Sequence, residues 1–171
     1  MKLKLPWKQL HLRKYDRFFI GSILYFAPVN NLLKTMNSNR TDIIIIGAGL
    51  SGIGAACHLK RKNPKKTFII LESRAEIGGT WSLFQYPGIR SDSDMYTFGY
   101  SFKTWDDQKS FADGPSILKY INEAADEYQL RDHIIYEQKA LTYNYNTKEK
   151  LWIVTTINTR TGEQTIYKSQ F

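Results

Sequence analysis

Residues 41–90 hold the feature that most restricts how this chain can fold. A bare apolar run, Asp42–Ile46, turns through Gly47-Ala48-Gly49-Leu50-Ser51-Gly52 into a helical pattern, and a second apolar run, Thr67–Leu71, ends on Glu72. Four consecutive isoleucines without polar alternation, Ile43–Ile46, read as a strand buried on both faces, as in a parallel sheet with helices on each side. The helical pattern puts Leu50, Ile53, Ala56, Cys57 and the stem of Lys60 on one stripe. It stops near Lys62, because Pro64 has no amide to donate and disfavours a helical Asn63. Strand, helix and strand at this spacing form a right-handed crossover that lays the two strands parallel and adjacent.

The glycines have separate tasks. Gly47 permits the tight turn, Gly49 lets backbone approach a pyrophosphate, and Gly52 lets the helix pack close to the strand. A phosphate placed there meets the free N–H groups and positive end of the helix, and Ser51 adds a hydroxyl donor. Glu72 stands twenty residues after Gly52 at a strand end, where a carboxylate accepts hydrogen bonds from ribose hydroxyls. A glycine triplet alone is a weak signal. Strand, triplet, helix, strand and acid together specify a dinucleotide pocket, though not whether the ligand is FAD or NAD.

Ser73–Asp113 shows no sustained periodicity, yet it is rich in aromatics (Trp81, Phe84, Tyr86, Tyr96, Phe98, Tyr100, Phe102, Trp105), which argues for an ordered, ligand-covering excursion. Asp113-Gly114-Pro115 opens another helix, with Ile117, Leu118, Ile121, Ala124, Ala125 and Tyr128 as its apolar face. His133–Glu137 reads as a third parallel strand. Leu141–Tyr145, Leu151–Asn158 and Gln164–Lys168 read as a short antiparallel meander. The fold class is therefore α/β: a Rossmann-like βαβ with a parallel sheet, plus the meander.

The net charge of +8 suggests nucleic acid until it is located: residues 1–40 carry +7 of it. The body, residues 41–171, is near neutral and has no basic stripe interleaved with aromatics, so no nucleic-acid partner is expected. Residues 1–40 form a separate leader. Its apolar run Phe18–Ala27 is too short to span a bilayer, and no small-x-small cleavage site follows it. Two readings are kept for residues 1–35: an upstream extension with Met36 as the true start, or a basic, aromatic membrane-surface anchor. The expected location is cytoplasmic, with membrane association on the second reading. The single cysteine, Cys57, excludes an internal disulfide and reads as a small core residue; His11, His58 and His133 have no metal-ligand spacing. The basic run Lys60-Arg61-Lys62 with Lys65-Lys66 reads as a solvated helix C-terminus.

Beyond Glu72 the pocket acquires a type. Glu72-Ser73-Arg74-Ala75-Glu76-Ile77-Gly78-Gly79-Thr80-Trp81 resembles the acid-then-GG segment of two-dinucleotide-domain flavoproteins. The GGTW ending with Gln85-Tyr86-Pro87-Gly88-Ile89-Arg90-Ser91-Asp92 is similar to class B flavin monooxygenases. Continued through Ser93-Asp94-Met95-Tyr96-Thr97, it resembles the Baeyer–Villiger branch that includes the ethionamide-activating monooxygenase. One position departs: Gln85 stands where the family usually has Arg before Tyr-Pro-Gly.

That resemblance implies an NADPH-dependent flavoprotein monooxygenase. It would bind FAD, reduce it with NADPH and trap O2 as a C4a-peroxyflavin that attacks a ketone or oxygenates sulfur or nitrogen. Carried over by position, Gly49 and Ser51 meet the pyrophosphate and Glu72 the AMP ribose. Gly79, Thr80, Trp81, Ser82 and Leu83 belong to the flavin side, and the Ala140 backbone meets adenine at the end of the third strand. Asp92 is the flavin-proximal acid, and Arg90, Ser91 and Asp92 face the nicotinamide cofactor. A second glycine-rich fold, the FxGxxxHxxxW signature and the main catalytic arginine of that branch are not found in these residues. The expectation is an N-terminal FAD-binding portion, with Ile43–Ile46 left as an uncovered apolar edge. Two rivals stay open: a non-catalytic flavin-binding module, and another two-dinucleotide-domain oxidoreductase. No redox cysteine pair supports a disulfide reductase.

Overall fold

A computed structural model describes residues 39–171 and the backbone of residues 15–20 and 23–28. The chain divides into two units, Met1–Asn39 and Arg40–Phe171. In the first, strands β1 (Tyr15–Ile20) and β2 (Ile23–Pro28) pair antiparallel, with Ile20 opposite Ile23. The apolar run of the leader is thus split into two strands, as suits its aromatic and β-branched residues. A start at Met36 falls outside the described residues, as does most of a surface anchor at 1–35. Among the described residues no helix is long and apolar enough to cross a membrane.

The second unit opens with β3 (Arg40–Thr41) and β4 (Ile43–Ile46). It continues through α1 (Leu50–Lys62), β5 (Phe68–Leu71) and the short helices α2 (Thr80–Leu83) and α3 (Met95–Phe98). Helix α4 (Gly114–Glu127) and a 3-10 turn at Arg131–His133 lead to β6 (Ile134–Ile135). Strands β7 (Gln138–Asn146), β8 (Leu151–Asn158) and β9 (Gln164–Ser169) close it. Two sheets result: a parallel one in the order β4-β5-β6, and a mixed one in the order β3-β9-β8-β7. Isoleucines 43–46 lie opposite Phe68–Leu71 in parallel register, the pairing the crossover requires.

The layering differs from the expected one. Ile43 and Ile45 with Phe68 and Ile70 pack into the main core against Ile53, Ala56 and Cys57 of α1 and Ile117, Ile121 and Ala124 of α4. The opposite face, through Ile44, Ile69, Leu71 and Ile135, packs on Val154 and Tyr167 of the meander and not on helices. An unalternating strand states only that both faces are covered, and a second sheet covers an apolar face as well as a helix does. Each large aliphatic chain buried here, such as Ile70 or Ile53, contributes roughly 1.5–3 kcal/mol.

The third parallel strand is shorter than His133–Glu137: only Ile134 and Ile135 pair with β5. His133 belongs to the 3-10 turn, and Glu137 takes a positive φ of 57° that redirects the chain into β7. Strand β4 has β5 on one side. On the other, Ile44 donates to the Phe171 carbonyl at 2.9 Å and Phe171 donates to that of Asp42 at 3.0 Å. The apolar edge is therefore only partly covered: Ile46 is 51% exposed, and Ile43, Ile44 and Ile45 line an open cleft of about 480 Å³.

The excursion 73–113 is ordered by its aromatics. Tyr100 stacks between Phe102 (4.8 Å) and Tyr120 (5.3 Å), and its hydroxyl donates to the Leu50 carbonyl at 2.6 Å. Its second half thus braces α1 against α4, while its first half is left to form a site. Asp113 caps α4 by accepting from the Ser116 amide at 2.8 Å, with Pro115 in the first turn. The basic run at the end of α1 is used internally: Lys60 donates to the Gln129 carbonyl at 3.2 Å and Lys66 pairs with Asp42 at 3.3 Å.

Candidate functional site

Two glycine-rich turns meet at the C-terminal ends of β4 and β5. The first is Gly47-Ala48-Gly49, entering α1. Gly47 takes φ +90°, and a Cβ on Gly52 would lie 1.9 Å from the Gly47 carbonyl oxygen, so only glycine lets α1 begin this close to β4. Gly49 is the N-cap of α1, which has no side-chain cap and no acid in its first turn. Its leading amides and the positive end of the helix dipole are thereby left for an external anion. Ser51 is exposed in that first turn.

The second turn is Gly78-Gly79, leading into α2. Gly78 donates to the Ala48 carbonyl at 3.0 Å, and a Cβ on Gly49 would stand 3.4 Å from the Gly79 Cα. The two turns therefore touch backbone to backbone. Sequence reading assigned Gly49 to a pyrophosphate contact; the structure adds that its bare Cα also seats Gly79.

Glu72 stands behind both turns and is 4% exposed. Its Oε2 accepts the Ala48 amide at 2.7 Å, and its Oε1 accepts the Arg74 amide at 2.9 Å and the Ser73 hydroxyl at 3.2 Å. An ionised carboxylate offers about four lone-pair positions, so these three bonds leave room for about one more donor, such as a ribose hydroxyl. Gly47, Gly49, Gly52, Glu72 and Gly79 are thus brought together at the ends of β4 and β5, with Ser51 in the first turn of α1.

Thr80–Leu83 is the single turn α2. Ser82 is buried and accepts a hydrogen bond from Arg74, whereas Leu83 is 58% exposed. Trp81 packs against the main core and Phe98, and also lines a cleft of about 620 Å³ with Phe84, Tyr86, Ile89, Arg90 and Leu118. Arg90 therefore shares a cleft with Trp81 of this turn. The cleft wall is tied to α4: Arg90 bridges Asp113, and Gly114 donates to the Ile89 carbonyl at 3.0 Å. Arg90 and Asp92 are exposed, and among the described residues neither makes a salt bridge, so the pair is not a surface ion pair. Ser91 is 2% exposed, and its amide donates to the Ala112 carbonyl at 2.9 Å; it holds the segment and does not face outward.

Ala140 is placed differently from the expectation. It lies in the antiparallel strand β7, beside an irregularity between Ala140 and Thr142, and packs on the core formed by Leu71, Val154 and Tyr167. The end of the third parallel strand is Ile135, whose carbonyl accepts the Glu72 amide at 2.9 Å; Gln138 in turn donates to the Glu72 carbonyl at 2.8 Å. The positive φ of Glu137 ends the strand five residues before Ala140.

Two contributors were not legible in the sequence. Arg74 reaches from Glu72 to the second turn. Tyr100 fixes the start of α1 through the Leu50 carbonyl and fills the space above Gly54, where a Cβ would meet its ring at 2.8 Å. Their signal was one of spacing only, an arginine two residues after the acid and a tyrosine among nine excursion aromatics. Cys57 is fully buried with its sulfur 4.0 Å from the Ala124 carbonyl, and burial pushes its thiol up to about 11. It is a core residue. Among the described residues no cluster of side chains could hold a metal.

Residues 45–120 match the family of NAD(P)-binding Rossmann-like domains. Over 114 residues the chain is 54% identical to the FAD-containing monooxygenase EthA of Mycolicibacterium smegmatis, covering 67% of this chain and 23% of that protein. In structure it is similar to OTEMO in complex with FAD and NADP, with TM-score 0.66, 30% identity, and coverage of 77% of this chain and 24% of that one. It is also similar to the cyclohexanone monooxygenase from Rhodococcus sp. Phi1 bound to NADP+, with TM-score 0.65, 28% identity, and coverage of 78% and 25%. The chain spans about a quarter of the length of the curated relatives it matches.

Proposed function

This chain belongs with the FAD-containing monooxygenases, and on that premise we propose that residues 41–171 are the FAD-binding portion of an NADPH-dependent Baeyer–Villiger-type monooxygenase. The substrate class is a small ketone, or a compound oxygenated at sulfur or nitrogen, with O2 as oxidant and a cytoplasmic location. The observation that carries this reading is the closure of the Gly47–Gly49 turn onto the Gly78–Gly79 turn, with Glu72 buried behind both.

The residues present fit FAD. The uncapped start of α1, with Gly49 and Ser51, presents amides and a hydroxyl to a pyrophosphate. Glu72 keeps acceptor capacity for about one ribose hydroxyl. Gly79, Thr80, Trp81, Ser82 and Leu83 run from the first turn to the cleft that Arg90 lines, which supports a flavin side and a nicotinamide side next to one another. Bound FAD supplies the two-electron chemistry, accepting hydride from the nicotinamide and passing electrons to O2. Trp81, Phe84 and Ile89 give the cleft apolar walls. Arg90 supplies a positive charge for the anionic nicotinamide cofactor, and Asp92 an exposed carboxylate two residues further along. Ala140 is kept on the adenine side only through β7, which Gln138 ties to Glu72.

The test is direct. The purified chain should be yellow, with flavin absorbance that survives desalting and a bound flavin released as FAD on denaturation. A colourless, folded protein that takes up no FAD would overturn the reading.

A further inference from the structure

Arg74 ties Glu72 to the second turn. Its amide donates to Glu72 Oε1 at 2.9 Å, and its carbonyl accepts the Glu137 amide at 3.1 Å. Its guanidinium Nη2 donates to the Gly79 carbonyl and to Ser82 Oγ, each at 2.7 Å, while Nε stands 4.0 Å from Glu72 Oε1. We propose that Arg74 is a positioning residue that sets the flavin-side turn Gly79–Leu83 at a fixed distance from the ribose carboxylate Glu72, so that one FAD molecule can engage both at once. This rests on the FAD reading of the site.

The geometry gives Arg74 that task because the turn cannot set its own position. Gly79 has φ 59° and ψ −125°, a conformation that constrains little by itself, and α2 is a single turn with no side-chain cap. Within the turn, Leu83 bonds the Gly79 carbonyl at 3.0 Å and Ser82 bonds it at 3.3 Å, but these bonds move with it. From outside, the turn is met by the Gly78 amide on Ala48, the seat of Gly79 on Gly49 and the packing of Trp81; the two short bonds from Arg74 are the ones that run to the residue holding Glu72. A single ammonium nitrogen could donate to both the carbonyl and the hydroxyl, but only the rigid guanidinium fork holds a second nitrogen, Nε, beside the Glu72 carboxylate at the same time. Lysine offers a point charge without that fork. Arg74 is also partly covered, its side chain 27% exposed, so its bonds compete less with water than surface ones do.

The ADP half of FAD depends on Glu72 and the start of α1, whereas the flavin half depends on the turn that Arg74 holds. The full chain, as wild type and as R74K and R74A, is titrated with FAD by flavin fluorescence and with ADP by calorimetry, with thermal melting to confirm folding. R74K should bind FAD about tenfold more weakly than wild type, about what losing one hydrogen bond to a charged group costs, and bind ADP within about twofold. Millimolar guanidinium should restore FAD affinity to R74A, as it refills the site of the lost group. R74K binding FAD like wild type overturns the proposal. So does an equal loss for ADP and FAD without guanidinium rescue, which marks Arg74 as scaffold only. Wild type that binds ADP but not FAD overturns the flavin reading itself, and this proposal with it.

Discussion

A Cβ added to Gly79 would lie 3.0 Å from the Cα of Gly49, thirty residues earlier in the chain. The phosphate loop and the flavin-side turn are thus seated on one another through bare backbone. Gly79 also needs φ 59°, which side chains rarely adopt. Gly79→Ala should cost about 1–3 kcal/mol in stability through strain and overpacking, and should abolish flavin retention. Urea unfolding and the absorbance of the purified protein measure the two effects. An alanine variant as yellow and as stable as wild type would show that the turns do not need this contact.

Glu72 accepts three hydrogen bonds from the chain while nearly buried. Glu72→Gln turns part of that acceptor into a donor and sets it against an amide or hydroxyl donor already there. The expected loss is about 1–3 kcal/mol in stability, together with weaker ADP binding. Urea unfolding and calorimetry with ADP read these separately. Unchanged ADP affinity would remove Glu72 from the ribose site.

Cys57 reports on opening of the core. Desolvation raises its thiol from 9.0 to about 11, with the Glu127 charge adding to the effect. Native protein at pH 8 should leave a thiol reagent unreacted, and urea should release one thiol per chain. The neutral thiol suits the core, so its stabilising share is whole below pH 9 and is lost as pH rises through about 11. Rapid labelling of native protein at pH 8 would place Cys57 at the surface.

Acid acts on caps and ties. Asp42 is held below the usual carboxylate range by the amide and hydroxyl of Thr67 and by Lys66, and Asp94 by the amide and hydroxyl of Thr97. Asp113 is lowered by Ser116, and Asp126 by Arg131. A depressed folded-state value stabilises above the unfolded pKa and fails as pH falls through the folded one. Stability should therefore hold from neutrality to about pH 4 and decline below it. A melting series across pH 2–7 checks this, and Asp113→Ala should lower stability by about 1 kcal/mol at neutral pH by uncapping α4.

The sequence by itself determined the local parts and their order. The bounds of α1 are those that Gly49 and Pro64 impose, and the isoleucine run pairs with Phe68–Leu71 because a short helical crossover allows little else. Gly47, Gly52 and Glu72 were legible because each answers a local demand of backbone or spacing. Tertiary structure alone decided what covers each face of the parallel sheet. An apolar run records burial but not its neighbour, so the meander beneath Ile44, Ile69 and Leu71 could not be read. Ala140 lies in β7 and not at the end of the third strand, because the chain turns away after Ile135 through a positive φ at Glu137, and no pattern in His133–Glu137 carries that dihedral. Arg74 was invisible for the same reason: its importance lies in a bond to Gly79 and Ser82 that exists only once the second turn has folded back onto the first.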